Sequence, residues 1–310
     1  FVGAEVLFAD VDPDTGLMGP DELEAALIRA EDEGVNPAAV YPVALTGQRA
    51  DPIAIRDIAE RNGLTVVTDA CHALGTRFER DGVTIQAGDA RHAAMEVFSF
   101  HPVKTIAMGE GGAVTTNDAR LAESLRLLRN HGITRDPQRF RNRNDSRAPG
   151  GDINPWYYEM HALGFNYRVS DINCALGLSQ LKKLGRFTAR RRALAARYDS
   201  VIGRLSPTVR PVARVPGCSP AWHLYAVLID FEDVGVNRAT LMARLREAGV
   251  GAQVHYFPVH RQPYYRDRYG DQSLPGADAY YARTLSLPLY PAMADDDVDY
   301  VIDALEKALG

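Results

Sequence analysis

Lys104 stands alone in an apolar, aromatic and glycine-rich run, Phe98-Ser99-Phe100-His101-Pro102-Val103-Lys104-Thr105-Ile106-Ala107-Met108-Gly109-Glu110-Gly111-Gly112. Burial disfavours a charged amine, so a lysine is rarely drawn into such a setting without a task. An amine made less basic by burial is a nucleophile. Its common use is a Schiff base with a carbonyl compound or with pyridoxal phosphate. By itself the lysine also fits a loop side chain that snorkels to water. A second stretch, Leu64-Thr65-Val66-Val67-Thr68-Asp69-Ala70-Cys71-His72-Ala73-Leu74-Gly75, reads as a buried strand ending in an acid. In open α/β sheets, ligands gather at the carboxyl ends of strands. Asp69 and Lys104 each follow an apolar run to such an end. A carboxylate and a lysine so placed meet the needs of pyridoxal phosphate. The lysine holds the aldehyde, and the acid pairs with the pyridine nitrogen and keeps it protonated, so the ring accepts electrons.

The elements that must position these two residues follow from pattern. Val6–Ala9, Ala38–Leu45, Leu64–Thr68, Met95–Phe100 and Gly112–Thr116 read as strands. Helices are expected over Asp21–Arg29, with Pro20 at the mouth, and from the Asp51-Pro52 cap to Gly63. Another runs from the Asn117-Asp118 cap to about Asn130. This alternation of β and α with short connections predicts a mostly parallel sheet flanked by helices. Residues 75–94 read as polar and irregular, and residues 133–162 as a long functional loop. Ser170 caps a helix to Leu184, and a basic helix follows from about Arg186 to Leu205. Composition shifts at Ser206-Pro207. Trp222–Asp230 reads as a strand, Asn237–Ala248 as a helix, Val250–Phe257 as extended, and Asp295 as the cap of a last helix. The expected division is a large cofactor-binding unit over 1–185 and a smaller α+β unit over 186–310.

Composition excludes several classes. Net charge is −5 over 310 residues, which argues against a nucleic-acid binder. No apolar run reaches the roughly 18 residues of a membrane span, and no signal peptide is evident. The three cysteines, Cys71, Cys174 and Cys218, are far apart and form no C-x-x-C pair, so no disulfide framework or zinc site is indicated. A cytoplasmic location is the expectation.

The segments around Asp69 and Lys104, together with Gly109-Glu110-Gly111-Gly112-Ala113-Val114, resemble the DegT/StrS family of sugar aminotransferases. Three more segments carry the likeness: Arg129-Asn130-His131-Gly132, Gly164–Gly177, and Val254-His255-Tyr256-Phe257-Pro258-Val259-His260. Within the family, Pro155–Met160 and Gln262–Arg266 are most similar to the transaminases of pseudaminic acid biosynthesis. The resemblance implies the fold type I of pyridoxal phosphate enzymes. It also implies transfer of an amino group, from L-glutamate, to C4 of a UDP-linked 4-keto-6-deoxy-N-acetylhexosamine. Family members carry a further N-terminal segment with a Gly-Ser/Thr loop that cradles the cofactor phosphate. This chain, opening Phe1-Val2-Gly3-Ala4, is expected to lack it.

The resemblance also distributes roles. Lys104 is the Schiff-base lysine and the proton shuttle; dehydratases of the family have histidine there. Asp69 pairs with the ring nitrogen, His72 with the phenolic oxygen, and Ser99 with the phosphate. Asn166 reaches the phosphate of a neighbouring subunit, which implies a homodimer with shared active sites. Tyr256 and His260 belong to a segment that approaches the sugar in relatives. The Gly109–Gly112 run lacks the G-x-G-x-x-G spacing and serves close backbone packing instead of a phosphate. The arginines at 135, 139, 141, 143 and 147 suit a diphosphate but fit a solvated loop better, and Arg190-Arg191-Arg192 reads as the wet face of a helix. Two alternatives stand beside this reading. One is another nucleotide keto sugar, dTDP-linked or aminated at C3; the other is a non-catalytic sensor that keeps the cofactor pocket.

Overall fold

A computed structural model describes residues 2–205 and 207–310. Helix α1 (Pro20–Asp32) opens on a proline whose missing N–H has no helical acceptor to lose. Strand β1 (Ala39–Val40) leads to α2 (Pro52–Arg61), where Asp51 Oδ1 accepts from the Ile53 and Ala54 amides at 2.9 and 3.1 Å. Strands β2 (Thr65–Asp69), β3 (Arg77–Arg80), β4 (Val83–Gln86), β5 (Met95–Ser99) and β6 (Gly112–Thr115) follow, then α3 (Ala119–Leu128). The sheet order is β1-β2-β5-β6, with β1, β2 and β5 parallel and β6 antiparallel. Asp69 lies opposite Val97, and Ser99 opposite Gly112, so the ends of β2 and β5 share one edge of the sheet. The chain leaves that edge into the Lys104 loop and returns as β6.

Several expectations change here. Val6–Ala9 forms no strand; it lies over the helix Pro263–Tyr269, where the Val6 amide donates to the Tyr269 hydroxyl and Phe8 packs edge-on to Tyr265. Aromatic side chains hold that run in place of a ladder. The strand expected over Ala38–Leu45 is only two residues long, because Pro42 has no N–H to donate. Residues 75–94 are not irregular: β3 and β4 form a hairpin across Asp81-Gly82, both with positive φ, as a two-residue turn requires.

Within 133–162 a short pair, β7 (Ile133–Thr134) and β8 (Glu159–Met160), closes the ends of the long excursion. Helix α4 (Asp171–Leu181) is capped by Ser170 and has no buried residue. Helix α5 (Leu184–Ile202) then enters the largest core. That core is shared with β9 (Val209–Pro211), β11 (Tyr225–Ile229), α6 (Arg238–Glu247), β12 (Thr284–Leu287) and α9 (Asp295–Leu309). Strand β10 (Cys218–Ser219) pairs instead with β3. Helices α7 (Pro263–Tyr269) and α8 (Pro275–Arg283) and strand β12 went unread in the sequence. Helix α8 passes into β12 with no residue between them, so no turn chemistry marks the change. The cap of α9 is Ala294, not Asp295; its amide donates to Asp297 Oδ2 at 2.8 Å. The mostly parallel sheet with flanking helices, followed by a smaller α+β assembly, is the architecture that the alternating pattern implies. No described helix is long and apolar enough to cross a membrane.

Candidate active site

Lys104 sits in a turn after β5, its amide donating to the His101 carbonyl at 2.9 Å. Its side chain is half-buried, and burial makes the amine less basic than an ordinary lysine, against the opposing pull of the Asp69 carboxylate. The loop beyond is held tightly. A Cβ at Gly112 would lie 2.5 Å from the Phe98 carbonyl oxygen, so only glycine lets β6 return this close to β5. Asn173, in the first turn of α4, donates to the Met108 and Glu110 carbonyls at 2.7 and 3.1 Å. Asp69 closes β2, and its Oδ1 accepts from the Cys71 amide at 3.0 Å. Burial, with the Asp69 carboxylate beside it, pushes the Cys71 thiol up to about 12, which leaves it protonated and inert. Ser99 ends β5, with its Oγ accepting from the His101 amide at 3.4 Å.

Three histidines surround this group. His72 is 7% exposed and His223 6%, and their ring centroids are 4.3 Å apart. Burial first, then the Lys104 charge, lowers His72 to about 3; burial, then His72 and Lys104, lowers His223 to about 2. His255 is lowered by the same two causes, burial before Lys104, and its Nδ1 lies 2.8 Å from the Ser286 hydroxyl. All three are neutral imidazoles at neutral pH. Tyr256 joins them, its ring 6.4 Å from His72, and burial and then Asp69 raise its phenol.

His260 is placed elsewhere. It is buried with its Nε2 3.6 Å from Asp278 Oδ1, beside an opening lined also by Arg261, Arg266 and Asp271. Asn166 is exposed; its Oδ1 accepts from Arg168 Nε and Nη2, and its backbone pairs with Asn130. Of the loop arginines, Arg139 pairs with Glu123 at 2.6 Å and Arg147 donates to the Gly151 carbonyl. Arg190-Arg191-Arg192 is not the wet face expected of it. Arg191 is buried and donates from Nη1 to the Trp222, His223 and Leu289 carbonyls, while Arg192 donates to Pro220 and Gly75. The reason is that α5 turns this face to the ends of β11 and β12, where carbonyls without ladder partners accept the guanidinium. No role was read in the sequence for His223 or Asn173. His223 alone left a signal, a single histidine at the head of the apolar run Leu224–Ile229.

The residues fit pyridoxal phosphate. They supply a half-buried amine and an acid at adjacent strand ends. Two nine-tenths-buried imidazoles, each with an unpartnered Nδ1, stand beside them. Among the described residues no cluster of metal-ligating side chains competes with that reading. Comparison with known proteins agrees. Residues 1–306 match the DegT/DnrJ/EryC1/StrS aminotransferase family. The chain is 38% identical over 306 residues to the spore coat polysaccharide biosynthesis protein SpsC of Bacillus subtilis (strain 168), covering 98% of this chain and 73% of that one. In structure it is similar to Helicobacter pylori PseC, an aminotransferase involved in the biosynthesis of pseudoaminic acid, at 27% identity and a TM-score of 0.83 over 99% of this chain and 74% of that chain. It is also similar to the putative sugar aminotransferase Spr1654 from Streptococcus pneumoniae in its PLP form, at 25% identity and a TM-score of 0.79, over 99% and 76% of the two chains. The chain belongs to the DegT/DnrJ/EryC1/StrS aminotransferase family and is a pyridoxal phosphate-dependent transaminase.

Proposed function

We propose that this enzyme transfers an amino group from L-glutamate to C4 of a UDP-linked 4-keto-6-deoxy-N-acetylhexosamine, as in pseudaminic acid biosynthesis. The observation that carries the site is the half-buried Lys104 amine following β5, beside Asp69 at the end of neighbouring β2. The likeness to PseC supports the sugar. Pyridoxal phosphate, when bound, supplies an aldehyde for an incoming amine and a ring that takes up electrons. Lys104 holds that aldehyde and, once released, carries a proton to and from the substrate carbon, a task suited to an amine of lowered basicity. Asp69 would pair with the ring nitrogen and keep its proton. His72, neutral and fixed, orients the phenolic side, and Ser99 donates to the phosphate. Tyr256 lines the approach for the sugar. His260, assigned to the same approach by resemblance, lies away from it beside Asp278.

A second copy of the chain completes the site in this reading. Helix α4 exposes Ile172 (83%) and Leu178 (64%), and the segment before it exposes Leu163 (89%) and a stacked Phe165–Tyr167 pair next to Asn166. An apolar face of that extent is suited to burial against another copy, with Asn166 reaching across. The unpaired cysteines fit a reducing cytoplasm. The closer sequence likeness to SpsC favours a second reading, another keto sugar destined for a polysaccharide.

The test is a visible absorbance spectrum with added pyridoxal phosphate, before and after L-glutamate. The expected result is a cofactor band that glutamate bleaches, that a keto sugar restores, and that Lys104→Ala never forms. A band insensitive to glutamate rejects the donor. Restoration by a dTDP-linked sugar alone rejects the UDP sugar in favour of the second reading.

A further inference from the structure

His223 is buried without an evident packing need, since it sits where β11 begins and its Nδ1 has no partner. Buried polar atoms are normally bonded, and a departure at a functional cluster is informative. The arrangement that brings its ring to His72 is built from three separate segments. The His223 amide donates to the Thr46 carbonyl at 2.9 Å, and so does the Leu224 amide at 3.2 Å. Gly47, at φ 104°, fills the gap between them: a Cβ there would lie 3.0 Å from the Trp222 nitrogen and 3.1 Å from both the His223 nitrogen and the His72 carbonyl oxygen. The buried Thr76 hydroxyl donates to the Gly47 carbonyl at 2.7 Å and accepts from the Ala221 amide at 2.9 Å. Arg191 then grips the Trp222 and His223 carbonyls from α5, both at 3.1 Å. His223 therefore has little freedom, and its ring lies against His72, tilted by 50°.

We propose that His223 is a positioning residue that acts through His72, backing that ring and fixing its plane toward the Lys104 and Asp69 group. The inference rests on the assignment of His72 to the cofactor. Among the described residues His72 otherwise has only Tyr256 as an aromatic neighbour, at 6.4 Å, too far to hold its plane. Nothing in its own turn fixes it, because its Nδ1 is unpartnered. The charged and titratable groups around it are Lys104, Asp69 and His255, and none substitutes for a flat surface at 4.3 Å.

The test is a cycle of His223→Leu, His72→Ala and their combination, read in two ways. In the ligand-free protein, ring-nitrogen NMR follows His72. The native His72 ring is held against His223, and His223→Leu should shift and broaden its ring-nitrogen signal as the ring is freed. With pyridoxal phosphate, His223→Leu should weaken binding about tenfold when His72 is present and under about twofold in the His72→Ala background. His223→Phe, which keeps a flat ring, should rescue most of both effects. Equal losses in the two backgrounds, or an unmoved His72 signal, overturn the proposal. Should His223→Leu fail to fold, His223→Phe decides: a loss of affinity as large as that of His72→Ala overturns it, and near-native affinity with an unchanged His72 signal sustains it. Failure of the native chain to bind pyridoxal phosphate would count against the site assignment, while the ligand-free His72 signal would still test the coupling.

Discussion

At the scale of single residues, this site sets burial against charge. Lys104, His72, His223 and His255 are crowded together, and burial lowers each of them. The histidines give stability a definite pH dependence. Unfolded, each takes up a proton near 6.5; folded, His72 and His223 do so only near 3 and 2. Between those values the unfolded chain binds more protons, so stability is fully present above pH 6.5 and is lost as pH falls through the window. Each buried histidine removes about 1.4 kcal/mol per pH unit there. Urea unfolding of the ligand-free protein should therefore show a midpoint that falls steeply from pH 6.5 to 5, with a shallower slope in His72→Gln. An equal slope in that variant would show that other groups carry the acid sensitivity.

At the scale of elements, the reactive loop is held by a helix distant in sequence. Asn173 of α4 carries two bonds to the loop that follows Lys104, and Ser170 caps the same turn. Asn173→Ala should lower stability by about 1–2 kcal/mol by leaving two carbonyls without their donor. It should also speed hydrogen exchange at the Met108 amide, which donates to the Phe100 carbonyl across that loop. Unaltered exchange there would show the loop to be held by its own turns. A similar clasp closes the long excursion at β8. Glu159 accepts from the Arg141 and Asn142 amides, the Tyr157 hydroxyl and His161 Nε2, the last at 2.6 Å. Burial alone would raise its carboxyl, but these donors bring it down to about 2. Limited proteolysis within 141–147 should accelerate in Glu159→Gln; cleavage at the native rate would mean that β7 and β8 suffice.

At the scale of the whole molecule, the apolar surface of α4 and the Leu163–Tyr167 segment is what a single copy leaves unexplained. If a second copy covers it, sedimentation velocity should find a dimer, and Ile172→Glu with Leu178→Glu should release folded monomers that bind pyridoxal phosphate poorly. A native monomer, or a charged double variant that still dimerises, would remove Asn166 from the site. A polar contact joins the C-terminal assembly to the turn that follows β2. Arg192 of α5 donates to the Pro220 carbonyl on one side and to the Gly75 carbonyl on the other.

The sequence by itself determined the chemistry and the class of fold. An isolated lysine in an apolar run and an acid closing a strand carry meaning at short range, because strand ends gather ligands wherever the strands alternate with helices. Caps such as Asp51, Asp118 and Ser170 were legible for the same reason, since their bonds reach only two or three residues along the chain. Tertiary structure decided what depends on partners far away in sequence. It placed Val6–Ala9 against α7 instead of in the sheet, and it turned Arg191 inward to carbonyls 31 to 98 residues distant. It separated Tyr256 from His260, four residues apart, because the intervening turn sends one ring to His72 and the other to Asp278. It also brought His223 onto His72 across 151 positions, an approach that required a glycine at 47 and left no local pattern to read.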